Sequence, residues 1–167
     1  MSVQLNNTNV SDLFPMSSEA MLEKFVEHQE NKEPLTYLVE DDKANNFLCK
    51  MTLEEVGITN VRSFFRAEPA LADLKEVFEK NEELPSLILL DINMPAMDGW
   101  AFLGEYRKLP EAMKSKITIL LFSSSDHPRD LEKMKYFPEV LDFVMKPMSE
   151  EVASTLKEKY FRNRIAA

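Results

Sequence analysis

Short runs of consecutive apolar residues alternate along this chain with stretches whose apolar positions recur every three or four residues. The runs are Leu35 to Val39, Val61 to Phe65, Ser86 to Asp91, Ile117 to Phe122 and Val140 to Met145. Such runs alternating with helical patterns are the signature of strands in a parallel sheet. The stretches between them read as crossover helices. Ala44, Phe47, Leu48 and Met51 predict a first helix with that face inward, and Gly57 stands where a left-handed cap would end it. A second spans Glu68 to Lys80 with Leu71, Leu74 and Phe78 inward. Asp98 caps a third carrying Phe102, Leu103 and Tyr106, which Pro110 ends. A fourth starts near Pro128 with Leu131 and Met134. The last starts at Ser149 with Val152, Leu156 and Tyr160 inward, acids (Glu150, Glu151) at its start and bases (Lys159, Arg162, Arg164) near its end, both favoured by the helix dipole. Strand and helix in strict alternation predict an α/β domain with a parallel sheet and helices on both faces, from Pro34 to Ala167.

Residues 1–33 have a different texture. Met1 to Pro15 is polar and aperiodic, whereas Met21, Leu22, Phe25 and Val26 would share one face of a helix from about Ser18 to Gln29. This extension carries a charge of -4 and leaves -5 for the domain. An amphipathic helix and a partly ordered tail are both open readings.

Composition narrows the function. The chain has 167 residues, 44% of them hydrophobic, enough for a core, and a net charge of -9 that disfavours nucleic acid and anionic membranes as partners. The single cysteine, Cys49, can form no internal disulfide and reads as inert packing. With no apolar run near ~20 residues and no basic-then-apolar start, a cytoplasmic protein is expected. Three glycines leave no room for a glycine-rich nucleotide loop.

In an open parallel sheet, sites form beyond the carboxyl ends of the strands, where strand order reverses. The chemistry collects there: Glu40, Asp41 and Asp42 after the first run, Asp91, Ile92 and Asn93 at the third, Ser123, Ser124 and Ser125 after the fourth, Lys146 and Pro147 after the fifth. Taken singly, an acidic triplet is a helix cap, an Asp a turn residue, a serine run a loop and a lysine a solvated side chain. Together they put acids, a hydroxyl and an ammonium on one edge. Clustered carboxylates repel, so they take up protons or bind a cation. Oxygen ligands without usable His or Cys suit Mg²⁺, which shares its shell with phosphate oxygens. Such an ion offsets the charge between an attacking carboxylate and a phosphoryl group, with lysine and hydroxyl holding the remaining oxygens.

These residues resemble the receiver domain of two-component response regulators, of the stand-alone, chemotaxis-regulator-like kind. DINMPAMDG from Asp91 to Gly99 is similar to the family's phosphoacceptor signature, and LVED, ILLFSS and FVMKP match its other blocks in order and spacing, so that the resemblance covers Leu35 to Tyr160. It implies a flavodoxin-like sheet of order 2-1-3-4-5 and phosphorylation of Asp91 by a histidine kinase or phosphotransfer protein. It further implies Mg²⁺ held by Glu40, Asp41, Asp91 and the Asn93 carbonyl, a switch hydroxyl at Ser123 with Phe143 as its aromatic follower, and Lys146 on the phosphoryl group. A cis peptide before Pro147 and tuning of the phosphate lifetime by Asn93 and Ser125 belong to the same pattern. Asp42, one place past the acidic pair, reads as a helix-start acid only. Serine stands at the switch where threonine is commoner, and Ser124 replaces a frequent alanine. Neither removes a required group. A signalling phosphoacceptor with an unknown downstream protein partner is therefore expected, rather than an enzyme.

Three other readings are weaker. A phosphatase with an aspartyl intermediate wants an acid two residues after its nucleophile, and Asn93 stands there. A phosphorylation-independent binding module of the same fold would not need the reactive positions, all of which are filled. A calcium loop starting at Asp41 fails at Lys43, Asn46 and Thr52. His28 and His127 read as helix residues, and Trp100 and the methionines as packing.

Overall fold

A computed structural model describes residues 33–124 and 128–161. The expected helix near Ser18 to Gln29, together with Ser125, His28, His127, Arg162 and Arg164, lies outside the described residues. Five strands, β1 (Thr36–Val39), β2 (Val61–Phe64), β3 (Leu87–Asp91), β4 (Thr118–Ser123) and β5 (Val140–Met145), form one parallel sheet in the order β2-β1-β3-β4-β5. The helices are α1 (Lys43–Glu55), α2 (Ala67–Glu79), α3 (Gly99–Tyr106), α4 (Glu111–Lys114), α5 (Pro128–Met134) and α6 (Glu150–Tyr160).

The five strands fall within a residue or two of the apolar runs, and the inner ones, β1, β3 and β4, are buried on both faces almost throughout, whereas the edge strands β2 and β5 carry exposed residues such as Arg62 and Leu141. In β3, Ile88 and Leu90 point to one core while Leu87 and Leu89 point to the other, all of them 0% exposed. Tyr37 and Val39 join the first core from β1, and Leu38 joins the second. Helices α2 and α3 cover the first core, with Met134 of α5 packed against its border, and α1 and α6 cover the second. β5 breaks the alternation. Ile119 pairs with Val140 but Leu120 pairs with Asp142, so Leu141 is an extra residue opposite none, a bulge that re-aims the strand's remaining side chains. Accordingly Val140 joins the first core and Val144 the second, although they are four positions apart, a spacing that in a regular strand keeps one face.

The caps read from sequence are present. Asp98 accepts a 2.7 Å bond from the Ala101 N–H, Ser149 a 3.2 Å bond from the Val152 N–H, and Gly57 has a φ of 81° in the left-handed region. Two expectations fail. The short α4 was not anticipated, since one apolar residue, Met113, is all that anchors it. The face of α1 is reversed: Asn46, Cys49 and Leu53 are buried, whereas Phe47, Leu48 and Met51 are 63%, 54% and 41% exposed. Periodicity finds a stripe but not the direction it faces, and α1 carries two. Smaller shifts of the same kind occur on α5, where Leu131 is exposed, and on α6, where Ala153 is buried beside Leu156 while Val152 and Tyr160 border the core.

The α3 helix is tied to the segment after α5 by aromatic and cation contacts. The Trp100 and Phe137 rings lie 5.4 Å apart, Lys133 sits 4.8 Å above the indole, and Arg107 sits 4.4 Å above Phe137 while bonding both oxygens of Glu139 at 2.6 and 3.2 Å. Among the described residues no helix is long and apolar enough to cross a membrane.

Candidate functional site

The order β2-β1-β3 reverses direction between β1 and β3, so the loops leaving these two strands part and open a crevice at their carboxyl ends. Glu40 and Asp41 follow β1 directly, Asp91 ends β3, Ser123 ends β4 and Lys146 follows β5. The apolar strands thus bring five polar side chains, far apart in sequence, to one edge.

Glu40, Asp41 and Asp91 each offer a carboxylate oxygen within 4.8 Å of the other two. Glu40 is 0% and Asp91 3% exposed, an expensive place for two acids. Lys146 offsets the charge: its ammonium lies 3.0 Å from Asp91 Oδ1 and forms an ion pair with Glu40 Oε2. The lysine side chain is itself only 9% exposed. Burial pushes the Glu40 carboxyl above its ordinary value, the Lys146 ammonium opposes this, and the Asp91 charge adds to it. The other Glu40 oxygen accepts a 3.1 Å bond from the Asp42 N–H.

Backbone geometry holds the pieces. The Asn93 N–H bonds Asp91 Oδ1 at 3.1 Å, and the Lys146 N–H bonds the Ser123 carbonyl at 2.7 Å, joining the ends of β4 and β5. Ser123 is fully buried. Phe143, on the next strand, is half-buried against the first core. The Lys146–Pro147 peptide is cis, as the resemblance implied. Asp42 caps α1 through a 2.8 Å bond from the Asn45 N–H, the helix-start role read for it. Cys49 is buried, and burial pushes its thiol up to about 12, which leaves it an unreactive packing group.

Two supporting residues were not legible as such. Asn46 is 3% exposed and its amide donates to the Glu40 carbonyl at 3.3 Å, fixing the turn between β1 and α1. The signal was present: a polar residue in register with Cys49 and Leu53 on a helix otherwise cored by apolar groups. Gly99 lies so close to β3 that a Cβ there would stand 2.6 Å from the Asp91 carbonyl oxygen and 2.9 Å from the Ile92 Cα. Its N–H bonds the Ile92 carbonyl at 2.9 Å, which presses the start of α3 onto the strand end that carries Asp91. The turn between them includes Ala96 at φ 65°, a left-handed conformation that costs a residue with a Cβ about 1–2 kcal/mol.

This edge has the donor set of a site for one small, hard cation: three carboxylates within reach of one another, with the Lys146 ammonium beside them and neither sulfur nor imidazole in the group.

Known proteins share this arrangement of chain and fold. The model of the response regulator receiver domain matches residues 36–156. The probable methanogenesis regulatory protein FilR2 of Methanothrix harundinacea is 29% identical over 123 residues, 72% of this chain and 77% of that one. The response regulator Rcp1 of Synechocystis is 31% identical over 100 residues, 59% of this chain and 68% of its own. The crystal structure of a two-component response regulator from Cytophaga hutchinsonii superimposes with a TM-score of 0.68 at 29% identity, covering 78% of this chain and 98% of that one. With the family model spanning most of the sequence and the same five-stranded order in the fold, this chain belongs to the response regulator receiver domains of two-component systems.

Proposed function

We propose that the protein is the phosphoacceptor of a two-component relay, taking a phosphoryl group from a histidine kinase or a phosphotransfer protein onto Asp91. The observation that supports this reading best is the buried Lys146 ammonium, 3.0 Å from the Asp91 carboxylate and ion-paired with Glu40, at the mouth of a triplet of acids. A solvated lysine would have no reason to be there.

The chemistry follows from the side chains. An Asp91 oxygen bonds to phosphorus as the phosphorus–nitrogen bond to a donor imidazole breaks, and the imidazole leaves with the bonding pair and takes up a proton. Glu40, Asp41, Asp91 and the Asn93 carbonyl would hold Mg²⁺, which would supply charge compensation for the phosphoryl oxygens. One Glu40 oxygen is held by the Asp42 N–H, and the other, ion-paired with Lys146 here, becomes available to the metal when the lysine turns to the phosphoryl group. Lys146 moves from a carboxylate pair onto a phosphoryl oxygen, and Ser123 gives that group its hydroxyl. Phe143 then follows Ser123, and the face of α5, β5 and α6 changes its hold on a downstream protein. Asn93 and Ser125 set the lifetime of the phosphate. Asn93 has no proton to give, which disfavours turnover of external phosphate esters.

Incubation with acetyl phosphate and Mg²⁺, read by intact mass, tests the reading. One phosphoryl adduct is expected, not formed when the metal is chelated beforehand and absent in Asp91→Asn. An adduct that survives the substitution sinks the assignment.

A further inference from the structure

The face that α1 turns away from the domain is apolar, although a surface helix ordinarily turns its charges outward. Ala44, Phe47, Leu48 and Met51 recur at three- and four-residue spacing, and the three large ones are 63%, 54% and 41% exposed. They lie opposite Asn46, Cys49 and Leu53, which seat the helix on the sheet. Nothing in the folding of the domain calls for them. The stripe also has a polarity: Lys43 stands at its head, Glu54 and Glu55 at its foot, all exposed. Lys43 and Glu54 are about three helical turns apart and therefore on the same flank. Glu54 is only loosely engaged within its own helix, 3.8 Å from Lys50.

We propose that this stripe is an interface between two copies of the chain, packed as an antiparallel pair of α1 helices about a two-fold axis. Such an axis makes the contact self-complementary. Centring it on the stripe sets Phe47 of one copy against Met51 of the second, with Leu48 of each beside the axis. It also sets Lys43 of each copy against Glu54 of the other, twice. A parallel pair would instead leave the Lys43 residues, and the Glu54 residues, on opposite flanks at one level with neither ion pair formed, and would align the helix dipoles unfavourably. The charge pattern thus selects both a second copy as the occupant and its direction. A 13-residue helix is about 20 Å long, and one helix face buries less than the ~800 Å² per partner of a standard stable interface. The dimer is accordingly weak and concentration-dependent.

Sedimentation velocity on the full chain, from low micromolar to about 1 mM, tests this. The weight-average sedimentation coefficient rises with concentration for the wild type. Leu48→Lys, at an exposed position, keeps the native circular dichroism and sediments as a monomer throughout. Lys43→Glu and Glu54→Lys each weaken association several-fold, and the double reversal restores it, an outcome that general stickiness cannot produce. The proposal is overturned by a wild type that stays monomeric across the range, or by association indifferent to Leu48→Lys. Capture of a helical histidine-phosphotransfer protein by the same residues, with no self-association, overturns it as well.

Discussion

Gly99 shows how much of the candidate site depends on a residue without chemistry of its own. A methyl group there meets backbone, not a side chain that could swing aside, at 2.6 Å and 2.9 Å. Gly99→Ala should therefore push α3 away from β3, cost about 1–3 kcal/mol in urea unfolding, and slow labelling of Asp91 by acetyl phosphate. An unchanged labelling rate would mean that the position of α3 does not matter to Asp91. At the opposite pole, Glu139 gives a pH-dependent contribution. Burial raises its carboxyl, but the Arg107 guanidinium, aided by the residue's own N–H, outweighs that and holds it below the ordinary value. An acid lowered in the folded state stabilises fully above its unfolded value of about 4.3 and loses that contribution as pH falls through the lower folded one. Thermal unfolding of wild type and Glu139→Gln should consequently differ at neutral pH and converge below pH ~4. A constant gap would show that the charge on Glu139 is not what stabilises.

Among the elements, α1 separates what was legible from what was not. The inner strands were readable because burial on both faces leaves a nearly uninterrupted apolar run, and β3 carries Asp91 at the end of one. Caps were readable because Asp98, Ser149 and Gly57 act on their own backbone within a few residues. The facing of α1 was not, since a stripe of Phe47, Leu48 and Met51 is a better apolar signal than Asn46, Cys49 and Leu53, and only the strand connections decide which side meets the sheet. The same ignorance hid Asn46, whose role depends on the carbonyl of Glu40 turning toward it. Two substitutions separate the faces. Leu53→Ala, at a position 0% exposed, should cost about 2–5 kcal/mol, whereas Phe47→Ala should stay within about 0.5 kcal/mol of wild type in dilute solution, read by chemical unfolding. The reverse ranking would mean that α1 sits on the sheet the other way round.

For the molecule as a whole, the sheet order gathers the end of every strand but β2 into one edge, and the cost of two buried acids there is carried by one lysine. Any ligand bound only by that assembled edge stabilises the folded chain by mass action. Beryllofluoride with Mg²⁺ at about a hundred times its dissociation constant should add ~2.7 kcal/mol to the unfolding free energy. Asp91→Asn should abolish the gain. Lys146→Met should reduce it, because the phosphoryl mimic then lacks its cationic partner while Glu40 and Asp91 face each other uncompensated. A gain retained by Asp91→Asn would place the mimic elsewhere.

The indole of Trp100 is the only one in the chain, and it lies beneath the Lys133 ammonium at the first turn of the helix that Gly99 presses onto the strand ending in Asp91. The molecule thus carries a built-in optical probe at the seam between α3 and α5. Emission from this one fluorophore can follow rearrangement of that seam in real time, with no label attached and no other tryptophan to subtract.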